Sequence, residues 1–208
     1  MDRKKLFLDI ETLPAERDKK GLLQDIYDSD KNNGKKFKKS FDSFFLQSGL
    51  DGSFGRILCI GIAVNDEPVD CLIGDEKEIL KKFWEMAGDA DLFIGHNIFD
   101  FDMRFIYQRS AILGVRPTQD LSFARYRNNP IYDTMHEWSK WNMQDKIKLD
   151  KIAKAMGLAS SKDGGIDGSR VYEFYKKGKL QEIYDYCKRD VEVTREVYKK
   201  LTFEDPKP

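Results

Sequence analysis

Short apolar runs occupy the first half of the chain and predict a series of β-strands. The runs cover Lys5 to Ile10, Ile57 to Val64, Val69 to Ile73 and Asp91 to Ile94. Each has the length and the apolar character of a buried strand. At the end of the first run, Asp9 and Glu11 lie two positions apart, so both carboxylates project from the same face of the strand. An isolated Asp-X-Glu is usually an acidic strand edge in water, but the apolar neighbours of this pair favour a buried strand.

The second half of the chain has a helical period. Apolar residues recur at helical spacing from Leu180 through Leu201, and a shorter helix is predicted from about Asp102 to Leu113. On the longer helix, Tyr186 and Asp190 are four residues apart and therefore share one face. A tyrosine and aspartate on a solvated helix face would be the common alternative. Asp102 begins the shorter helix, where aspartate is favoured as an N-cap because it accepts hydrogen bonds from free backbone N–H groups.

The order of the elements predicts the fold class. Strands come first and mostly helical sequence follows, which favours a mixed β-sheet flanked by helices. With 208 residues and 40% hydrophobic content, the chain can bury one sizeable core. We therefore expect a single α/β domain over residues 1–208.

Targeting and redox features of the sequence indicate a cytoplasmic protein. The charged first residues are followed only by a short apolar run that Asp9 interrupts, which does not fit a signal peptide. No stretch is long and apolar enough to span a membrane. The three cysteines, Cys59, Cys71 and Cys187, contain no CxxC pair and are odd in number, which predicts reduced thiols.

Three short motifs supply four acidic residues that could converge. The motifs are DIE at Asp9 to Glu11, HNIFDFD at His96 to Asp102 and YCKRD at Tyr186 to Asp190. Carboxylates a few ångströms apart repel each other and raise each other's pKa, so a converging cluster calls for cations. Hard oxygen ligands with no accompanying cluster of cysteine or histidine favour Mg²⁺ or Mn²⁺ over zinc or copper.

In this order and over this length, the motifs resemble those of the DnaQ-like (DEDD) 3′→5′ exonucleases. The resemblance is greatest to stand-alone proteins related to the proofreading domain of family B DNA polymerases. It runs from Leu6 to about Leu201 and includes KLDKIAKAMGL from Lys148 and SKDGGIDGSRVYEFY from Ser161. One subclass of the family has a tyrosine four residues before the last aspartate, and the other has a histidine five residues before it. Here those positions hold Tyr186 and Asp185, so the chain resembles the tyrosine subclass.

The resemblance implies a ribonuclease H-like fold and a site for two ions, Mg²⁺ or Mn²⁺. Asp9, Glu11 and Asp190 would hold the ion that activates water. Asp9 would also bridge to the second ion, which Asp102 would support through water. Two ions of this kind stabilise both the attacking and the leaving oxygen of a phosphodiester.

The resemblance also assigns roles outside the metal ligands. Tyr186 would orient the attacking water, since a phenol with a pKa of about 10 is suited to positioning rather than deprotonation. Asn97 would contact the terminal nucleotide or brace the site. The segment 14–55 would be a family-variable insertion within the domain.

The function implied is a 3′→5′ exonuclease that acts on 3′ ends of single-stranded nucleic acid and releases nucleoside 5′-monophosphates. DNA is favoured as the partner. One alternative is a 3′→5′ exoribonuclease, because the side chains that would read a 2′-hydroxyl cannot be placed from sequence. Another is a non-hydrolytic nucleic-acid-binding module on the same fold, which the complete set of four acids disfavours.

Charge adds little to this hypothesis, because 36 basic and 36 acidic residues give a net charge of zero. The segment KKFKKSFDSFF interleaves cations and rings: Lys35, Lys36, Phe37, Lys38, Lys39, Phe41, Phe44 and Phe45. Such a mixture can bind single strands, but the helical spacing of the phenylalanines favours an amphipathic helix that packs them inward. The preceding DSDKNNGKK from Asp28 predicts a polar loop. His96 is expected to order the loop before Asn97, and His136 to be a structural or surface residue.

Overall fold

The structure, a computed structural model, describes residues 3–33, 40–142, 144–160 and 165–204. The strands in these ranges are β1 (Lys5–Leu13), β2 (Arg56–Val64), β3 (Asp70–Ile73), β4 (Leu92–Gly95) and β5 (Ile131–Asp133). The α-helices are α1 (Lys20–Asn32), α2 (Phe41–Gln47), α3 (Glu76–Ala87), α4 (Asp102–Leu113), α5 (Thr134–Ser139), α6 (Leu149–Ala155), α7 (Val171–Lys176) and α8 (Leu180–Thr202).

The strands form one mixed sheet with β1 at its centre. Their order is β3-β2-β1-β4-β5. β1 pairs antiparallel with β2 and parallel with β4, while β3 extends the antiparallel side and β5 the parallel side. Strands flank β1 on both edges and helices cover both faces of the sheet. This burial explains why the first apolar run has so few polar positions.

Helices cover the two faces of this sheet. Leu6, Leu8 and Ile10 pack in the larger core together with residues of α3 and α4. On the opposite face, Phe7 packs against Tyr198 of α8, with ring centroids 5.5 Å apart. Because strand side chains alternate, the odd-numbered residues from Phe7 to Glu11 face α8. The α/β class and the mixed sheet flanked by helices are therefore confirmed.

The predicted elements agree with the observed ones where a long pattern defines them. α4 has the predicted bounds, and α8 extends one residue beyond its predicted end. β1 continues to Leu13, which places Glu11 inside the strand rather than after it. β5 was not predicted, because its three residues are too short to show a period of their own. Their pairing with β4 creates the strand.

In the segment between β1 and β2, the structure differs from the prediction at one place. The predicted loop from Asp28 is wrong as far as Asn32, because α1 continues through these residues. Tyr27 of α1 packs against the rings of Phe41 and Phe44 in α2, at 5.7 and 5.4 Å between centroids, and this contact stabilises the helix in a polar sequence.

The phenylalanine-rich segment is helical where it is described. Phe41, Phe44 and Phe45 lie in α2 and are half-buried, which supports the amphipathic-helix interpretation. Lys35, Lys36, Phe37, Lys38 and Lys39 lie outside the described residues.

Candidate active site

Two acids of the site come from β1, at the point where α8 approaches the sheet most closely. Asp9 is paired with Gly61 of β2, and Glu11 with Cys59. A Cβ atom on Gly61 would lie 3.0 Å from the Cys187 sulfur and 3.1 Å from the Cys187 carbonyl oxygen. Glycine at this position therefore lets α8 lie directly over the two carboxylates.

Asp102 comes from the other side of β1, at the first residue of α4. Its Oδ1 accepts a hydrogen bond from the backbone N–H of Ile10 at 3.0 Å, and the side chain is buried. The expectation that Asp102 is an N-cap is wrong, because Phe101 occupies that position without a side-chain cap. The bond across the chain to Ile10 instead fixes Asp102 between its two acidic neighbours on β1.

Asp190 and Tyr186 complete the cluster from one face of α8. Both are buried, at 7% exposure each, and the Asp190 carboxylate acts electrostatically on the Tyr186 phenol. The same phenol is close enough to Asp9 and Glu11 to interact with them electrostatically. The spacing of four residues thus brings the predicted pair to the predicted acids.

Burial and mutual repulsion control the protonation of these acids. Burial, followed by repulsion from Asp190 and Asp102, raises the pKa of both Asp9 and Glu11 well above the usual range. Burial is also the main reason why the pKa of Asp102 rises to about 7. Burial and the neighbouring carboxylates raise the pKa of the Tyr186 phenol as well. Tyr186 consequently remains a neutral phenol at physiological pH.

Two acids of the cluster, Asp9 and Glu11, lie close enough together to share a hard divalent cation. Within the described part of the chain, no lysine or arginine forms an ion pair with Asp9, Glu11 or Asp102, and the charges that dominate their surroundings are other carboxylates. Oxygen atoms of Asp9 and Glu11 lie within 4.8 Å of each other and of the Cys187 sulfur. Carboxylate oxygens at this separation are suited to Mg²⁺ or Mn²⁺.

The loop after β4 is held by an aspartate that the sequence analysis did not select. Asp133, at the end of β5, accepts hydrogen bonds from the backbone N–H groups of Asn97 at 2.9 Å and Phe99 at 3.0 Å. It also caps α5 through the N–H of Met135. An aspartate that follows an apolar pair and begins a helix is a typical N-cap, but only the pairing of β5 with β4 brings it to this loop.

Asn97 and His96 are both held in this loop. Asn97 has a left-handed backbone, with φ of 65°, and its side-chain Oδ1 is buried without a hydrogen-bond partner in the described part of the chain. The two ring nitrogens of His96 lie 3.0 Å from Thr134 Oγ1 and 2.9 Å from the Ile147 carbonyl oxygen. These contacts confirm that His96 orders the loop before Asn97.

His136 is structural rather than a ligand. It is 2% exposed, and its ring stacks on Trp141 with centroids 4.6 Å apart and planes at 3°. The structural interpretation of this histidine is confirmed.

A cleft of about 550 Å³ leads to the acid cluster. It is lined on one side by Asn97, Tyr186 and Asp190, and on another by the exposed Lys146 and Lys148. A larger cleft of about 760 Å³ elsewhere on the protein contains none of the four acids. The smaller cleft therefore brings exposed lysines to the same cavity as Tyr186 and Asp190.

Comparison with known proteins identifies the family of this chain. Residues 57–205 match the profile of a family described as "Predicted 3'-5' exonuclease related to the exonuclease domain of PolB". The chain belongs to this family. The matched residues include the second and third acidic motifs, whereas the first motif on β1 precedes them.

Individual relatives of this exonuclease-related domain are larger proteins. The chain is 23% identical over 159 residues to a DNA polymerase of Archaeoglobus fulgidus, covering 70% of the chain and 20% of the polymerase. A structure of the family B DNA polymerase from Pyrobaculum calidifontis superimposes with a TM-score of 0.66 at 18% identity, covering 97% of the chain and 25% of that polymerase.

These relatives fix the fold of the domain as ribonuclease H-like, as the sequence resemblance implied. The chain spans about a fifth to a quarter of the length of the polymerases that it matches. In the part of the domain that the structure describes, no helix combines the length and apolarity needed to cross a bilayer.

Proposed function

We propose that this chain is a metal-dependent 3′→5′ exonuclease. It would hydrolyse phosphodiester bonds at the 3′ ends of single-stranded nucleic acid and release nucleoside 5′-monophosphates. The observation that carries the proposal is the convergence of Asp9, Glu11, Asp102 and Asp190 from β1, α4 and α8, where burial and mutual repulsion raise the pKa values of the first three. Membership of an exonuclease-related family adds independent support.

The four carboxylates have distinct proposed roles. Asp9, Glu11 and Asp190 would hold one Mg²⁺ or Mn²⁺ ion, Asp9 would also bind a second, and Asp102 would support the second ion. When bound, such ions lower the pKa of water and neutralise charge on the attacking and leaving oxygens. The hydrogen bond from Ile10 to Asp102 keeps that carboxylate oriented toward β1.

Tyr186 would act as a positioning residue for the attacking water. The phenol is close enough to Asp190, Glu11 and Asp9 for their charges to act on it, so its hydroxyl would lie beside water held by these acids. Its raised pKa means that it cannot be the base. The proton of the attacking water would therefore leave to solvent or to a carboxylate of the cluster.

The cleft supplies the proposed substrate contacts. Lys146 and Lys148 are exposed beside the acids and would contact backbone phosphates. The unpartnered Oδ1 of Asn97 would accept a hydrogen bond from the terminal nucleotide. DNA is the favoured substrate because the relatives are DNA polymerases, and RNA is the alternative.

We also propose that the chain is organised as one exonuclease domain with an insertion that varies within the family. The matched family profile begins at residue 57, after the segment 14–55 that contains α1 and α2. The same two helices pack mainly against each other through Tyr27, Phe41 and Phe44. The segment also contacts β1, where the Thr12 hydroxyl donates to the Gly49 carbonyl oxygen, so a variation in length would fall in the two helices rather than at this contact.

The deciding experiment compares single-stranded DNA and RNA carrying the label at the 5′ end or at the 3′ end. With Mg²⁺ or Mn²⁺, the protein should shorten 5′-labelled strands progressively and release labelled mononucleotide from 3′-labelled strands. Excess EDTA should abolish both results. Degradation that persists in chelator or starts at the 5′ end would contradict the proposal, and binding without cleavage would favour a non-hydrolytic module.

The first prediction concerns Asp9, which is proposed to touch both ions. Asp9→Ala should lose nearly all activity while the protein stays folded, because removal of one repelling carboxylate relieves strain in the metal-free cluster. Thermal melts with and without Mn²⁺ measure ligand-dependent stabilisation directly, and the variant should lose most of it. Glu192→Ala removes an exposed acid of α8 close to Asp190 and should match the wild type in both assays. Near wild-type turnover in Asp9→Ala would exclude Asp9 as the bridging ligand.

A further inference from the structure

The three cysteines of the chain lie close together where α8 packs on the sheet. Cys59 lies on β2, Cys71 on β3 and Cys187 on α8, and their three sulfur atoms all lie within 4.8 Å of one another. The strand register explains how the first two meet. Cys71 is paired with Gly61, two residues after Cys59, so both thiols project from the face of the sheet that α8 covers.

The position of the third thiol is fixed by the same close approach that forms the acid cluster. The backbone N–H of Gly61 donates to the Cys187 sulfur at 3.2 Å, and the lack of a side chain on Gly61 leaves room for that sulfur. Cys59 and Cys187 have no exposed surface, whereas Cys71 is only partly buried. Two of the thiols are therefore enclosed by the protein, and solvent can reach the cluster through Cys71.

This arrangement has the dimensions of a thiolate metal site. A metal–sulfur bond of about 2.3 Å in a trigonal or tetrahedral site places the sulfur atoms about 3.8–4.0 Å apart. The observed limit of 4.8 Å exceeds this spacing by about 1 Å at most, and small side-chain adjustments of the three cysteines can supply the contraction. Three soft sulfur ligands select ions such as Cu(I), Zn(II) or Cd(II) and discriminate against Mg²⁺.

We propose that Cys59, Cys71 and Cys187 form a binding site for one thiophilic cation, adjacent to the acid cluster. Two contacts define this adjacency. The Cys187 sulfur lies 3.5 Å from the Asp9 carbonyl oxygen and 3.7 Å from its carboxylate Oδ2. The soft-ligand site and the hard-ligand site therefore lie side by side.

The test of binding uses Cd(II) alone as the probe, with the protein reduced beforehand. Thiolate coordination gives a ligand-to-metal charge-transfer absorption in the ultraviolet, which carboxylates do not give. One equivalent of Cd(II) should produce this band. In Cys71→Ser, which keeps two of the three thiols, the band should be weaker. Competitive chelator titration should show binding weakened more than about 100-fold, a larger loss than removal of a residue that only hydrogen-bonds to a metal ligand. Asp9→Ala should retain the band, because its thiols are intact.

The outcomes distinguish absence of the thiol site from misfolding of a variant and from failure of the nuclease hypothesis. Cys71 is the least buried of the three thiols, and Cys71→Ala serves as a second variant if the serine variant melts early. A wild-type protein without the band, or a band and an affinity that stay undiminished in both folded Cys71 variants, would overturn the site. Neither result depends on nuclease activity.

Discussion

At the residue scale, two constraints position Tyr186. They are its helical spacing from Asp190 and its burial among carboxylates. The Asp190 carboxylate acts electrostatically on the phenol, and the ring contributes to a small core with Leu13 and Ile183. Removal of the hydroxyl alone leaves that packing in place. The residue can therefore be tested for positioning separately from structure.

We expect Tyr186→Phe to lower turnover by roughly 10²- to 10⁴-fold, the usual range for a group that positions or transfers a proton. Metal affinity and substrate binding should change little, because the phenol is not a ligand. Turnover and Mn²⁺ titration in the same variant provide the measurement. Tyr184→Phe is the matched control, since Tyr184 lies on the same helix but lines the larger cleft that contains no acid of the cluster.

Two results would contradict this role for Tyr186. Unchanged turnover would show that the hydroxyl does not position water. A loss of Mn²⁺ affinity as large as that of Asp190→Ala would instead make Tyr186 part of the ligand scaffold.

At the scale of elements, the site depends on how closely α8 lies on β1 and β2. Asp9 and Glu11 belong to the sheet, while Tyr186 and Asp190 belong to the helix. Gly61 sets the distance between these two elements. A side chain at that position would meet Val191 Cγ2 at 2.9 Å and the backbone oxygen of Cys187 at 3.1 Å. The backbone contact cannot be relieved by a rotamer change, so the helix itself would have to move.

Gly61→Ala should therefore destabilise the protein by about 1–3 kcal/mol, the usual cost of overpacking a core, and should also reduce activity by displacing α8. Denaturant unfolding and the nuclease assay measure the two effects. Gly21→Ala, in α1, has no atom within 4 Å of the added Cβ and should be neutral or stabilising by up to about 1 kcal/mol. A Gly61→Ala protein with wild-type stability would show that the helix–sheet spacing is not tight.

At the scale of the whole molecule, the acid cluster lowers the stability of the metal-free protein. The pKa of Asp102 is about 7 in the folded state against an ordinary value of 3.8, and the pKa values of Asp9 and Glu11 are raised in the same direction. The folded protein thus binds protons more tightly than the unfolded chain. The free energy of unfolding falls as pH rises from the ordinary value of an acid toward the raised value, and it levels off above that.

Without divalent ions, the melting temperature should be higher at about pH 5 than at about pH 8. Added Mn²⁺ should reduce this difference by stabilising the ionised cluster at the higher pH. Asp102→Asn preserves the shape and the acceptor for Ile10 but removes the charge, so its pH dependence should be smaller. Glu192→Gln, an exposed substitution on α8, should retain the wild-type pH dependence. A metal-free protein that becomes more stable between these pH values would contradict the electrostatic account.

The sequence by itself determined the features that depend on local periodicity. The alternation around Asp9 and Glu11 gave a buried strand with both acids on one face, and the spacing of Tyr186 and Asp190 gave one helix face. The bounds of α4 and the class of fold followed from the same kind of pattern. These features are encoded within one element, so a reading of neighbouring residues is sufficient to find them.

Only the tertiary structure decided which residues from distant elements meet. The pairing of β5 with β4 brought Asp133 to the loop of Asn97, and the bond to Ile10 replaced the expected N-cap role of Asp102. The cysteines illustrate the reason most clearly. Their spacing along the chain contains no motif, yet their sulfur atoms lie within 4.8 Å of one another. Strand register and helix–sheet packing create that contact, and neither leaves a local pattern in the sequence.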